Sequence, residues 1–389
     1  MLQIAFAGTV EGIRSWVEKA GADNFRVLRP AEAASNPQTS PPEACLLRVP
    51  MAHYFGGRPV PVVGIAGVAV PPEHRGGGRA LALMRSGIQE IAAEGIALSS
   101  LYASTQALYR QVGYEQAGHA CAVRLPVANI DVGDRARPGS SPETAPFVPL
   151  TDADAPAIED CYRAFASNSC GALDRGSYIW NRIRANRDKT YMPFGLRNAT
   201  GGLDAYVFLS QDRKPDTGRH DLTLSDLAFL THASGRRLLG FLRDFASMAD
   251  DVTFQAGPWH PLLALLSLQR FEIKRKEWWM LRITSVKAAL EERGYSPALA
   301  GTVHLRIADD LVAANNGDFV LSVSTGRATL TRGGTGAVSL SIRALAAIYS
   351  GMWSARDAAL LGQASGDSVQ LDLLSALLAT GTPWLADFF

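Results

Sequence analysis

The chain has 389 residues, 47% of them apolar, and a formal net charge of +1. That length divides into two or three domains with cores of their own, and the balanced, scattered charge argues against a nucleic-acid footprint or an acidic membrane face. No apolar run approaches the roughly 20 residues of a bilayer helix, residues 1–6 lack the basic start of a signal peptide, and Cys45, Cys121, Cys161 and Cys170 have no metal or disulfide spacing, so a cytoplasmic protein without a metal is expected.

In chain order, residues 10–20 have the apolar spacing of a helix. His53, Tyr54 and Phe55 precede a Gly56-Gly57 hairpin turn; they are candidates to line a pocket, although aromatics beside a turn more often only pack. Residues 62–70 are small and β-branched, as a strand requires, and end at Pro71-Pro72. Arg75-Gly76-Gly77-Gly78-Arg79-Ala80 then opens an amphipathic helix carrying Leu81, Leu83, Met84, Ile88 and Ile91. Strand, glycine loop and helix bring unpaired amides and the positive end of a helix dipole to one point, which suits phosphate oxygens, and Arg75 and Arg79 add local charge. A dinucleotide fingerprint needs its third glycine where Leu81 stands, and a triphosphate loop needs Gly-Lys-Ser/Thr where Gly78-Arg79-Ala80 stands. An ordinary solvent-facing turn is the remaining reading of the glycines alone. His74, beside Arg75, reads as structural or incidental.

Residues 97–102 read as a second strand, Ser104-Thr105-Gln106 as a helix start with a hydroxyl cap, and 107–112 as a short helix ended by Gly113. Glycine, proline and serine accumulate over 131–149, as in a linker. After it come a helix over 152–166, strands over 205–209 and 222–230, the helix of Leu238, Leu239, Phe241, Leu242 and Phe245, a strand over 252–255 and a helix over 261–268. This repeats the earlier order without its arginine–glycine loop. Residues 278–283 form an apolar strand leading into a helix over 286–293, which Gly294 ends. Strands follow over 303–307, 319–323, 328–331 and 336–342, with turns at Asn315-Asn316-Gly317 and Gly333-Gly334. Helices over 343–350, 356–361 and 371–378 then complete an α+β module.

Arg75, Gly78 and Ala80 meet the pattern Arg-x-x-Gly-x-Ala, and Tyr109, Gly113 and Tyr114 meet Tyr-x-x-x-Gly-Tyr; together they resemble the GNAT superfamily of N-acetyltransferases. The GIAGVAV strand with its loop, the Trp-Met-Leu-Arg-Ile boundary and an aromatic C-terminus resemble the enhanced intracellular survival (Eis) group, over nearly the whole chain. The resemblance implies a mixed α/β, or α+β, fold in three parts. These are a catalytic GNAT domain over 1–130, a degenerate GNAT-like domain over 145–284 and a sterol-carrier-protein-like domain over 285–389. It implies acetyl-coenzyme A (acetyl-CoA) as co-substrate, a primary amine of a small molecule or peptide as acceptor, and a homohexamer, with no metal, nucleic acid or membrane.

Acetyl transfer to an amine needs the amine deprotonated, the carbonyl polarised and the leaving thiolate protonated. By the resemblance, Val68 and Val70 offer backbone hydrogen bonds to the pantetheine arm, and Arg75, Gly76 and Gly78 hold the pyrophosphate, with Ser104 nearby. Tyr109 is then the general acid, and the α-carboxylate of Phe389 the general base, usually through water; its reference pKa of about 3.5 makes it weak unless burial raises that value or a water relay removes the proton stepwise. From the residues alone, a core aromatic is the more frequent fate of a Tyr such as Tyr109 and a frayed end the commonest fate of a last residue such as Phe389, yet residues 384–389 are too apolar to fray comfortably. Asp387 is a rival carboxylate. Two departures qualify the resemblance: only one N-terminal helix is legible, implying a more open cleft, and Gly76 and Gly77 replace arginines of the mycobacterial aminoglycoside-acetylating members. A lipid or sterol carrier and an acetyl-CoA sensor, each with a vestigial transferase domain, are the competing readings.

Overall fold

The computed structural model of the chain describes residues 1–6, 8–30, 41–131, 145–186 and 189–389, so most of the linker expected over 131–149 lies outside the described residues. The N-terminus forms α1 (Leu2–Phe6) and α2 (Val10–Ala20), the second capped by the Thr9 hydroxyl accepting from the Gly12 amide. Only α2 is legible in the sequence, because five residues are too few to display a helical period. Strands β1 (Phe25–Leu28), β2 (Ala44–Phe55) and β3 (Arg58–Ala69) pair antiparallel in succession. Between β2 and β3, Gly56 and Gly57 have φ of +60° and +81°, the left-handed pair that a two-residue hairpin requires. Helix α3 (Arg79–Ala93) buries Leu83, Met84, Ile88 and Ile91, the expected stripe, and returns the chain to β4 (Leu98–Tyr102), parallel to β3. Helix α4 (Gln106–Arg110) and β5 (Glu115–Pro126) follow.

The second unit contains β6 (Val148–Pro149), α5 (Ala155–Ala166), β7 (Leu173–Asp174), α6 (Ser177–Arg184) and the short pair β8 (Ala185–Asn186) and β9 (Lys189–Thr190). Then come β10 (Met192–Arg197), β11 (Leu203–Arg213), β12 (His220–Phe229), α7 (His232–Arg243), β13 (Ala249–Ala256), α8 (Pro261–Ala264) and β14 (Glu272–Ile283). The helix expected over 261–268 stops at Ala264, and the strand expected from Trp278 begins at Glu272, where five exposed residues carry no apolar alternation. Among the described residues, one sheet runs β1-β2-β3-β4-β14-β5-β13-β12-β11-β10-β6, with β7 on the side of β2. The units exchange strands across it. β14 from the second unit pairs with β4, β5 from the first pairs with β13, and β5 and β14 pair with each other.

The third unit consists of α9 (Val286–Glu292), β15 (Gly301–Ala308), β16 (Gly317–Ser324), β17 (Arg327–Arg332), β18 (Val338–Ser341), α10 (Ile342–Ser350), α11 (Ala355–Leu360), β19 (Ala364–Gly366) and α12 (Ser368–Leu378). Its sheet runs β17-β16-β15-β18-β19. Helix α10 is buried almost all round because it lies between this unit and strands β5 and β14 of the large sheet, which is why its sequence is so uniformly apolar. Asn315 is not the exposed hairpin residue that Asn-Asn-Gly suggests. It is buried, donating to the Asp309 carboxylate at 2.9 Å and accepting from the Val286 amide at 2.9 Å. Asp309 in turn pairs with Arg282 of β14 at 2.7 Å, both buried, which joins the third unit to the sheet.

Candidate active site

Strands β3 and β4 pair only through Val62↔Leu98, Val63↔Ser99 and Gly64↔Ser100. Beyond that point β3 stays with β2 while β4 continues along β14, so the two parallel strands part and leave a wedge. A bulge lies on the parted stretch: Gly67 sits at φ +59° opposite the register shift between Cys45 and Leu47, and a β-carbon there would lie 2.8 Å from the Trp16 ring of α2. Past Gly64, β3 has no strand on its β4 side among the described residues, and Val68 and Val70 lie half-buried on this free stretch and its end. The Val70 carbonyl accepts from Arg75 Nε at 3.2 Å.

The glycine loop ends the wedge. Gly76 and Gly78 have φ of +81° and +74°, with open space where a β-carbon would stand. Among the described residues, none accepts a hydrogen bond from the amides of Gly76, Gly77, Gly78, Arg79, Ala80 or Leu81, and Gly78 caps α3 without a side chain. Six consecutive donors at the positive end of a fifteen-residue helix are matched to an anion with several acceptor oxygens. Arg75 is exposed beside them, but Arg79 is not the second free cation that its position suggests: its Nε donates to Glu43 at 2.7 Å, and that bond holds the Glu43 carboxyl below its ordinary pKa.

The second unit repeats the scaffold without the cradle. β12 and β13 run parallel and stop pairing after Thr223↔Thr253, with α7 between them. Only Leu230 and Thr231 separate β12 from α7, and the Thr231 hydroxyl accepts the Ser234 amide while Ser234 Oγ accepts the Thr231 amide. That reciprocal box satisfies the Thr231 and Ser234 amides at the helix start, where the first unit has no such box.

The Tyr-x-x-x-Gly-Tyr pattern is a helix terminus. The Tyr114 amide donates to the Tyr109 carbonyl and the Gly113 amide to the Arg110 carbonyl, with Gly113 at φ +87°. The Arg282 guanidinium packs where a Gly113 β-carbon would stand, 2.8 Å away. Three tyrosines surround the wedge, and their hydroxyls differ. Ser99 Oγ donates to the Val63 carbonyl at 2.8 Å, so Tyr114, 2.6 Å from Ser99 Oγ, must be the donor in that pair. Tyr102 donates to the Asp387 carbonyl at 2.7 Å. Tyr109, buried with its ring 6.0 Å from that of Tyr114, has no hydroxyl partner among the described residues, and burial pushes its phenol above the ordinary value. Ser104 is exposed in the loop after β4, and the hydroxyl cap expected from Ser104-Thr105-Gln106 does not form: Thr105, at the N-cap of α4, makes no side-chain cap bond.

His53 is fully buried rather than lining an open pocket. Its Nδ1 lies 2.6 Å from the Gly171 carbonyl, which only accepts, so Nδ1 carries the proton and Nε2 accepts from Ser100 Oγ at 3.0 Å. Burial pushes its pKa down to about 4, and the neutral ring stacks 5.1 Å from Trp279.

The last residues are pinned down. The Leu385 amide donates to the His119 carbonyl, the Trp384 amide to the Cys170 carbonyl, and Arg182 Nε to the Phe388 carbonyl at 3.1 Å. Phe389 is buried with its ring on Gly64, where a β-carbon would lie 2.9 Å from it, and 5.6 Å from the Tyr102 ring. It packs in the core that contains Val49 and Val62, whereas Tyr109 packs in the one that contains Val63, Ile65 and Leu101. Alternation along β3 puts those sets on opposite faces, so Tyr109 and Phe389 flank the wedge from its two sides. Asp387 is engaged by Arg175 at 2.9 Å, and its burial raises its pKa. Tyr102, Arg175 and Arg182 are the residues of this region that sequence reading missed; Gly64 and Gly67, glycines inside a strand, were the available signal of close approach and bulge.

Models of an acetyltransferase (GNAT) domain match residues 44–117 and, separately, 171–283, and a sterol carrier protein domain matches 286–386. The N-acetyltransferase Eis of Mycobacterium tuberculosis is 27% identical over 334 residues, covering 83% of this chain and 79% of that one. The crystal structure of a GCN5-related N-acetyltransferase from Anabaena variabilis superposes with a TM-score of 0.91 at 32% identity, covering all of this chain and 95% of that chain. A GCN5-related N-acetyltransferase from Kribbella flavida gives 0.78 at 25%, covering 98% and 92%.

Proposed function

The chain belongs to the GCN5-related N-acetyltransferases of the Eis type, two acetyltransferase domains followed by a sterol-carrier domain, and we propose that its first unit transfers the acetyl group of acetyl-CoA directly to a primary amine. The loop amides from Gly76 to Leu81 and Arg75 hold the pyrophosphate, and the free edge of β3 around Val68 and Val70 runs alongside the pantetheine arm, with Ser104 at the margin. In this reading the amine nitrogen forms its bond to the thioester carbon as the carbon–sulfur bond breaks. The Phe389 α-carboxylate takes the amine proton through water, and Tyr109 gives its proton to the departing thiolate. The domains are taken as residues 1–130, 145–284 and 285–389, and a small molecule or peptide acceptor and a cytoplasmic hexamer belong to the same proposal.

The observation that carries it is the accounting of hydroxyls: of Tyr102, Tyr109 and Tyr114, only Tyr109 keeps an uncommitted proton. A phenol raised by burial stays protonated at neutral pH, as an acid must. Asp387 is poorly placed to be the base, since Arg175 already claims both of its oxygens. The test is thiol release from acetyl-CoA across a panel of polyamines, aminoglycosides and peptides, with a variant extended by one alanine beyond Phe389. The extension turns the carboxylate into an amide and should lower kcat by about 100-fold without changing KM for acetyl-CoA. Undiminished turnover in the extended protein would remove Phe389 from the chemistry, and the absence of thiol release with every amine would sink the transfer itself.

A further inference from the structure

The side chain of Arg175, on the chain between β7 and α6, is 2% exposed and lies between two carboxylates. Its Nη1 is 2.6 Å from Asp226 Oδ2, its Nη2 is 2.9 Å from Asp387 Oδ1, and its Nε donates to Asp387 Oδ2 at 3.1 Å. The guanidinium lies 3.5 Å over the Tyr162 ring, and Asp226 also accepts from Tyr206 at 2.5 Å. Nothing in the acetyl-transfer reading uses Arg175 or Asp226.

Their place in the fold gives them a role. Asp226 is on β12 just past Thr223, where β12 and β13 cease to pair, so it stands in the second unit's counterpart of the β3–β4 wedge. The tail occupies that wedge. Trp384 packs so closely on Gly257 that a β-carbon there would be 2.4 Å from its ring, and Trp384, Ala386 and Asp387 leave only a cavity of about 30 Å³ beside Asp226 and His260, roughly one water. Two residues after Asp387, a reach of about 7 Å, the chain arrives at Gly64 in the first unit's wedge with Phe389.

We propose that Arg175 is a positioning residue: with Asp226 it forms a latch in the cofactor-less second unit that grips the tail through Asp387 and so sets Phe389 at the active wedge. The second unit then serves the reaction by holding the chain end where the first unit holds its coenzyme. Both partners of the guanidinium are desolvated, so loss of one changes the balance of a buried ion cluster rather than a surface pair. The consequence for turnover rests on the reading of Phe389 as the base.

Replacing Arg175 leaves two carboxylates buried without a cation and risks misfolding, so the test is Asp387→Asn, which keeps the shape of the tail and removes its charge. Asp226→Asn, on the other side of the guanidinium, is the second variant. Each full-length protein, checked for native circular dichroism, is incubated with a carboxypeptidase that prefers aromatic ends, and loss of Phe389 is followed by mass spectrometry. Loss should be faster than in the parent protein by on the order of tenfold, with a fall in kcat and an unchanged KM for acetyl-CoA. Equal protection of Phe389 in both variants and the parent overturns the latch. Faster loss of Phe389 with undiminished thiol release leaves the latch standing and discards Phe389 as the base, so the two ideas fail separately.

Discussion

At the scale of single residues, the site is distinguished by which polar groups are already occupied. Tyr102, Tyr109 and Tyr114 are alike in composition, yet two have spent their protons on Asp387 and Ser99. Tyr109→Phe removes one oxygen that has no hydroxyl partner among the described residues, so folding should be nearly unaffected while kcat falls by about 100-fold and KM for acetyl-CoA stays the same. Steady-state thiol release reads all three outcomes, and an unchanged kcat would send the search for the acid elsewhere. Gly113 is legible in sequence as a helix stop, but its second reason, the Arg282 guanidinium beneath it, is not.

At the scale of elements, two helices in equivalent positions begin in opposite ways. Helix α7 closes its own N-terminus with Thr231 and Ser234, whereas α3 starts from Gly78 with its donors open. Thr231→Ala should therefore cost about 1 kcal/mol of stability and leave coenzyme affinity untouched. Gly78→Ala should cost about 1–2 kcal/mol through its positive φ and also raise KM for acetyl-CoA, because the first amides of α3 would be re-aimed. Urea midpoints and KM measured on the two variants separate these effects; a raised KM in Thr231→Ala would contradict the division of labour between the helices.

At the scale of the molecule, the exchange of β5 and β14 makes one sheet of two units, and the tail ties both to the chain end. Acid should reveal this shared interior. Burial depresses the pKa of His53 to about 4 and of His260 to about 3, while an unfolded histidine titrates near 6.5. Because the folded values are the lower ones, the unfolded chain binds protons first, and stability falls as pH drops below about 6.5. At pH 5 the penalty is about 2 kcal/mol for each ring. The urea midpoint should drop between pH 7.5 and pH 5, and His53→Asn, which keeps a donor toward Gly171, should remove roughly half of that drop; equal midpoints at the two pH values would disprove the account.

Taken alone, the amino-acid order determined the glycine loop between strand and helix, the Tyr109 helix end and the three-part succession of units, because each depends on residues adjacent in the chain and on periods that short segments can display. It missed β5, whose glycine and alanines give little strand signal, and it assigned Arg79 to phosphate because the competing carboxylate, Glu43, lies 36 residues away. Only the tertiary structure decided where β3 and β4 part, which tyrosine keeps its proton and what holds Phe389 on Gly64. The physical reason is range: the Tyr102–Asp387 hydrogen bond joins residues 285 positions apart and the Arg175–Asp387 contact spans 212, and no local pattern encodes which distant group will satisfy a buried donor.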